Sequence, residues 1–274
     1  MDNMGRFFDY INERHKIYQK RQKGGSFPWT KDEILRTFSF CNVFRELDKV
    51  TIWIRENWRE PYKDHPNLPF AMSVARQINW PDTLDAIGFP EKWEPERIKH
   101  IMQSRKDCGW KVYTGAYMLT GTLGGTKVQQ TVDKILTPLY ENPPTIYPES
   151  LEKTWEQYLP YAGFSGFMAY EVVTDLRHTK HLCYARDIMT WANAGPGAKR
   201  GLNRIHNREL KKTIKPDQLL NEMSELLDVS CLYLKEYVPI LEMREIEHCL
   251  CEFDKYERTR LSEGRPRSKY KHHE

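Results

Sequence analysis

Apolar residues recur along most of this chain at the three- and four-residue spacing of an α-helix, not at the two-residue spacing of a strand. Residues 4–22 set Phe7, Tyr10, Ile11, Arg14, Ile17 and Tyr18 on one stripe, which predicts a helix there. A second helix is predicted from Thr30 to about Trp58, with Thr30 as N-cap and Glu33 at the capping-box position. Its apolar stripe is Ile34, Phe38, Cys41, Phe44 or Leu47, Val50 and Ile54. Further helices are predicted near 68–80, 94–106, 127–140, 148–159, 166–176, 217–237 and 240–260. The fold class read from this pattern is all-α. Pro143, Pro144 and Pro148 interrupt it and mark a boundary near 142–148 between two helical lobes of one domain, 1–257. Residues 258–274 read as a basic C-terminal tail.

Composition narrows the class. Of 274 residues, 39% are apolar and 12% aromatic, enough for a core and too many for a disordered chain. No apolar run reaches the ~18 residues of a membrane span. The opening MDNMGRFFDYINERHK has no apolar signal-peptide core, so an intracellular protein is expected. The six cysteines form no CxxC pair, which excludes a zinc ribbon or a disulfide framework and predicts buried thiols.

The net charge is only +4, but it is unevenly spread. Residues 14–23 hold five Lys/Arg and no acid, 195–215 hold seven and one acid, and 258–272 hold six and one. The rest of the chain is therefore net acidic. Such segregation suits a polyanionic partner, although each block also reads as a solvated helix face or a loose tail.

Several segments carry candidate chemistry. GTLGGTK at 121–127 is not a phosphate-binding P-loop, because Thr126 separates Gly125 from Lys127 and Val128 follows; it reads as a turn before a helix. In 38–54, Asn42, Arg45, Glu46 and Lys49 share one side of the predicted helix. They either pair on its wet face or line a cleft, where Arg45 would clamp a phosphate or carboxylate. In WANAGPGAKRGLNRIHNR, Lys199, Arg200 and Arg204 follow Gly195-Pro196-Gly197 at a helix start. Cations there oppose the helix dipole, which an anion such as pyrophosphate would explain; a C-cap turn with surface cations is the alternative. In 247–270, Glu247, Asp254 and Arg258 share a helical face, and Arg265 and Arg267 sit on an extended basic tail suited to DNA backbone.

LPYAGFSGFMAYEVVTDL at 159–176 resembles the helix-hairpin-helix of base-excision DNA glycosylases. Gly163, Phe164 and Ala169 fit the pattern, whereas Ala162 replaces its proline and Ser165 replaces its second glycine, with Gly166 adjoining. Small residues at a helix start let backbone N–H groups approach a DNA phosphate; an ordinary helix–helix turn needs the same residues. In those glycosylases a catalytic Asp follows the hairpin by a little over twenty residues. Asp187 stands at that distance from Gly163, and it also reads as a helix N-terminal carboxylate near Arg186.

Taken together, FFDYINERHKIYQKR, PWTKDEILRTFSFCNVFRELD, GFSGFMAYEVVTDLRHT, WANAGPGAKRGLNR and EHCLCEFDKYER resemble one family. It is the alpha-glutamyl/putrescinyl thymine pyrophosphorylases, or amino acid:DNA transferases, of bacteriophages with hypermodified thymine. That family is related to the helical domain attached to some 5-hydroxymethyluracil DNA kinases. The resemblance covers most of the chain and implies a two-lobed, all-helical, DNA-glycosylase-like fold with a helix-hairpin-helix. It implies a reaction in which the pyrophosphate of 5-(pyrophosphoryloxymethyl)uracil in DNA is replaced by an amine. The amine comes from an amino acid, glycine or glutamate, or from a polyamine.

On motif position and chemistry, Asp187 is the candidate base, with Glu171 as a second carboxylate. Asn42, Arg45, Arg177, Lys199, Arg200 and Arg204 are candidates for substrate or pyrophosphate. Gly163, Ser165, Gly166, Gly197, Arg258, Arg265 and Arg267 are candidates for DNA. The target base must be flipped or single-stranded. Lys199 and Arg200 are expected to matter more to turnover than Lys20 and Arg21. The expected partners are double-stranded DNA with modified thymine, a free amino acid or polyamine, and a 5-hydroxymethyluracil DNA kinase. The expected location is the host cytoplasm, without a membrane. No cofactor is expected; a divalent metal that helps the pyrophosphate leave is left open, since no His, Asp or Glu cluster has clear ligand spacing. A non-catalytic DNA-binding module that partners such a kinase, or a true DNA glycosylase, would share most of these features.

Overall fold

The computed structural model describes residues 2–115, 123–266 and 268–270. Its helices, in chain order, are α1 (Asn3–Gln22), α2 (Glu33–Thr37), α3 (Lys49–Ile54), α4 (Leu68–Ile78), α5 (Pro81–Ile87), α6 (Pro95–Asp107), α7 (Lys127–Gln129), α8 (Thr137–Glu141), α9 (Leu151–Tyr158), α10 (Gly166–Leu176), α11 (Pro196–Ile205), α12 (Pro216–Tyr233) and α13 (Met243–Arg260). Two π-helical stretches continue α3 (Arg55–Arg59) and join α7 to α8 (Gln130–Leu136). Among the described residues the only β contact is an isolated bridge between Phe38 and Lys269. The all-α expectation therefore holds.

Local boundaries differ from the sequence pattern in instructive ways. The helix expected from Thr30 to Trp58 is broken. Asp32, not Thr30, caps α2 by accepting from Leu35 N at 2.9 Å, and α2 ends at Thr37. The following FSFCNVF contains no strong helix former. It runs irregularly to a 3-10 turn at Arg45–Leu47. Asn42, Arg45, Glu46 and Lys49 consequently do not share a helix face. The helix expected over 68–80 ends at Ile78, where Asn79 turns left-handed (φ 48°), and Pro81 starts α5. The glycine turn before α7 is present: Thr126 caps α7 in a reciprocal box with Gln129, while Gly121 and Thr122 lie outside the described residues. Only Cys249 of the six free cysteines is buried, and Cys108, Cys231 and Cys251 are exposed, contrary to expectation.

The chain falls into two compact units, 1–48 with 188–274, and 49–187. The proline-rich stretch near 142–148 lies inside the second unit and does not divide them. The expected tail also starts later, since α13 continues to Arg260. Beyond it the chain returns beside α2: Ser39 N donates to Ser268 O at 3.0 Å and Tyr270 N to Thr37 O at 2.9 Å.

The 49–187 unit is built around α4, which is apolar almost all round as an enclosed helix must be; Leu68, Ala71, Met72, Val74, Ala75 and Ile78 are buried. α10 packs on it. Arg76 of α4 reaches Asp175 of α10 through two bonds, Nε–Oδ2 at 2.6 Å and Nη2–Oδ1 at 2.5 Å. Arg76 Nη2 also donates to Thr51 Oγ1 of α3 at 3.2 Å. Arg59 Nη1 lies 3.6 Å from Asp175, and Glu171 lies 4.0 Å from Arg76. Two guanidinium groups thus face two carboxylates, none more than 3% exposed. α9 and α10 are joined by residues 159–165, where Gly163 has φ 77° and a Cβ would lie 2.5 Å from Ile135 Cδ1.

In the other unit, α11 lies directly against α13. A Cβ on Gly201 would meet Leu250 O at 2.4 Å, and one on Gly197 would meet Cys251 Sγ at 2.4 Å. Glycines one turn apart let the two backbones approach to this distance. α1 completes the core: Phe7 packs edge-on to Phe253, and Phe8 stacks on Tyr233.

Two stability outcomes are expected in urea or thermal unfolding. Gly201→Ala places a methyl against helix backbone and should cost about 1–3 kcal/mol. Asp175→Ala leaves two buried guanidinium groups short of a partner and should cost about 3–5 kcal/mol.

Candidate functional site

In the 49–187 unit the candidate carboxylates are held by the fold. Asp187 sits at the N-terminus of α9: its Oδ2 accepts from Ser150 Oγ at 2.8 Å and Glu152 N at 3.0 Å, and its Oδ1 from Leu151 N at 2.8 Å. These bonds satisfy helix N–H groups that have no partner within the helix. Glu171 belongs to the buried ion cluster with Arg76, away from solvent. Arg177 follows the end of α10. Gly163, Ser165 and Gly166 form the turn into α10. Ser165 occupies the N-cap position without a side-chain capping bond, and the next side chain, Phe167, is half exposed.

In the other unit, the three arginines of the basic block 195–215 are paired with acids, while its lysines have no ion pair among the described residues. Arg200 Nε donates to Asp254 Oδ2 at 2.8 Å and Arg204 Nε to Asp254 Oδ1 at 2.9 Å, while Arg258 lies 3.8 Å from the same carboxylate. Arg204 also bonds Glu263 at 2.5 Å, and Arg208 bonds Glu222. Burial disfavours the Arg204 charge, but the bonds to Glu263 and Asp254 outweigh it, and its pKa is raised. Three nominated arginines are thus brought together around one buried acid that ties α11 to α13. Gly197 serves the helix approach described above. Lys199 and Arg265 are exposed, and Arg267 lies outside the described residues. Asn42 and Arg45 converge on Asp48: Asn42 N at 2.9 Å from Oδ1 and Arg45 Nη1 at 2.8 Å from Oδ2.

The uncompensated cations lie elsewhere, on α1. Arg14 is 7% exposed and donates one bond, from Nη2 to Phe40 O at 3.0 Å. Its Nη1 is buried without a partner, and among the described residues Arg14 makes no ion pair. It lines a cavity of about 140 Å³ together with Arg21 and Arg36. Phe27, Trp29, Phe38, Phe40 and Tyr270 supply the aromatic wall, and among the described residues no acidic side chain lines the cavity. Arg21 lies over the rings of Trp29 and Tyr270, 5.3 and 5.7 Å from their centroids. Arg36 has only an exposed contact with Glu33 at 4.0 Å. A buried guanidinium without a counter-charge is costly, and an anion entering the cavity removes that cost. Sequence reasoning passed over this site although a signal was present: Arg14 stands in the apolar stripe of α1, where a cation needs a reason.

The family described as 5-hmdU DNA kinase, helical domain, matches residues 2–265. The chain belongs to this family. A relative, the 5-hmdU DNA kinase of Bacillus phage SP10, is 28% identical over 286 residues, covering 91% of this chain and 44% of that protein. The chain therefore spans less than half the length of that relative. No solved structure matches it.

In this member the cavity's three arginines and aromatic wall suit an anion attached to a flat or apolar group. No helix among the described residues is long and apolar enough to cross a membrane. If Arg14 serves a ligand, Arg14→Met should leave unfolding free energy unchanged or raised, because an unpaired buried charge is removed. The same change should weaken inorganic pyrophosphate binding, measured by calorimetry, by at least about tenfold, the worth of one charge-assisted hydrogen bond. A merely structural arginine would give the opposite pair of results.

Proposed function

We propose that the chain acts on phage DNA bearing 5-(pyrophosphoryloxymethyl)uracil, as an amino acid- or polyamine:DNA transferase. The observation that carries this reading is the arginine- and aromatic-lined cavity, without an acid among its described lining residues, in a member of the 5-hmdU DNA kinase helical-domain family. In the reaction a C–N bond forms at the C5 methylene, the C–O bond to pyrophosphate breaks, and the amine loses a proton. The leaving group gains negative charge as the bond breaks, and Arg14, Arg21 and Arg36 would stabilise it there. They replace Lys199, Arg200 and Arg204 in that role, because Arg200 and Arg204 already serve Asp254. The α9–turn–α10 segment, with Gly163 left-handed and α10 uncapped by Ser165, would grip DNA backbone as a helix-hairpin-helix in a glycosylase-like fold. A 5-hydroxymethyluracil DNA kinase would supply the substrate in the host cytoplasm.

A second reading is a non-catalytic DNA-binding module that delivers modified DNA to such a kinase. It is favoured by the structural employment of both nominated carboxylates, Asp187 and Glu171. A glycosylase reading needs a free carboxylate at Asp187 and is the weakest of the three.

Incubation of the protein with pyrophosphorylated DNA and a mixture of amino acids and polyamines, followed by nucleoside mass spectrometry, separates these readings. The transferase predicts a new thymidine adduct and stoichiometric pyrophosphate. Salt-sensitive DNA binding without an adduct supports the binding module, and alkali-labile sites indicate a glycosylase.

A further inference from the structure

The irregular segment after Phe40 folds back on itself beside α13. Asp48 accepts from Asn42 N at 2.9 Å and Asn42 Nδ2 at 3.1 Å, and Asn42 Nδ2 also donates to Leu47 O at 2.7 Å. Cys41 N donates to Glu252 Oε2 at 2.9 Å, which pins the segment to α13. One helical turn before Glu252 stands His248, whose Nε2 lies 3.1 Å from Asn42 O. This closure brings the Cys41 sulfur, a carboxylate oxygen of Asp48 and a ring nitrogen of His248 within 4.8 Å of one another.

We propose that Cys41, Asp48 and His248 form a binding site for a divalent metal of the zinc class, with Arg45 holding the site when the metal is absent. Sulfur, imidazole nitrogen and carboxylate oxygen together select a borderline-soft cation and not Mg²⁺ or Ca²⁺. In a tetrahedral zinc site, bonds of 2.0–2.3 Å set ligand atoms about 3.3–3.8 Å apart, so closure by about 1 Å completes the geometry. Side-chain rotation on the irregular 41–48 segment supplies that movement more easily than motion of α13.

A second observation points to a cation here. Arg45 Nη1 lies 2.8 Å from Asp48 Oδ2 and 3.7 Å from Cys41 Sγ, so a positive charge already stands against two of the three ligands. A metal would displace the guanidinium and release the thiol proton to solvent. Three protein ligands leave the fourth position open. Asn42 Oδ1 is buried without a partner, and Asn42 itself is 9% exposed. This inference does not rest on the transferase reading.

The test is titration of the full chain with Co²⁺, read by the sulfur-to-cobalt charge-transfer and d–d absorption bands and reversed by Zn²⁺. Wild type should bind one equivalent. Cys41→Ser and His248→Ala should each weaken binding by about tenfold or more and Cys41→Ser should abolish the charge-transfer band, while Arg45→Met should tighten binding by about tenfold. Asp48→Asn provides a conservative third ligand change, and metal-free thermal unfolding confirms that each variant is folded. Absence of saturable binding in wild type, undiminished affinity in Cys41→Ser and His248→Ala, or no tightening in Arg45→Met would overturn the proposal.

Discussion

The constraint that orders both units is that a charge taken out of water must meet an opposite charge. A buried ion keeps most of its desolvation cost unless geometry and hydrogen bonds return it. In the 49–187 unit the bidentate contact of Arg76 with Asp175 meets that condition and joins α4 to α10, while Arg59, Thr51 and Glu171 draw in the neighbouring elements. In the other unit Asp254 plays the same part between α11 and α13, shared by Arg200 and Arg204. That sharing is available only because Gly197 and Gly201 allow the helices to touch. Packing and ion pairing are one arrangement here.

Against this rule Arg14 is the exception. It is as buried as Arg204, yet only a backbone carbonyl answers it. Aromatic rings and two further arginines surround the same cavity, so the surroundings add positive potential where the rest of the structure cancels it. Such a departure from local consistency is where a ligand site is expected. The neighbouring Arg45 differs, since it holds Asp48 directly. The two arginines differ in that a carboxylate answers Arg45 and only a backbone carbonyl answers Arg14.

Much of the fold was legible in the sequence because helical periodicity is a local property. The predicted helices correspond to α1, α4, α6, α9, α10, α12 and α13, with ends displaced by a few residues. The long helix expected from Thr30 failed because an apolar stripe at helical spacing also describes FSFCNVF, whose residues turn inward without being helical. The candidate site was less legible. Asp187 was placed at a helix N-terminus on one of its two readings, and it caps α9. Arg200 and Arg204 looked uncompensated because their partner, Asp254, lies some fifty residues along the chain. Cys41, Asp48 and His248 have no motif spacing for the same reason.

By itself the sequence determined the helical class, the segregation of charge into three basic blocks on an acidic remainder, and a family resemblance pointing to phage thymine modification. The first two follow from spacing and composition, which neighbouring residues carry, and the resemblance rests on the motifs quoted above. Only the tertiary structure decided which cations are free. Whether a guanidinium is spent on a carboxylate depends on which distant helix is packed beside it, and that is settled by close approaches such as Gly201 on Leu250. The arginines of the block at 195–215 are paired within the protein, and the cavity without an acid among its described lining residues belongs to Arg14 on α1.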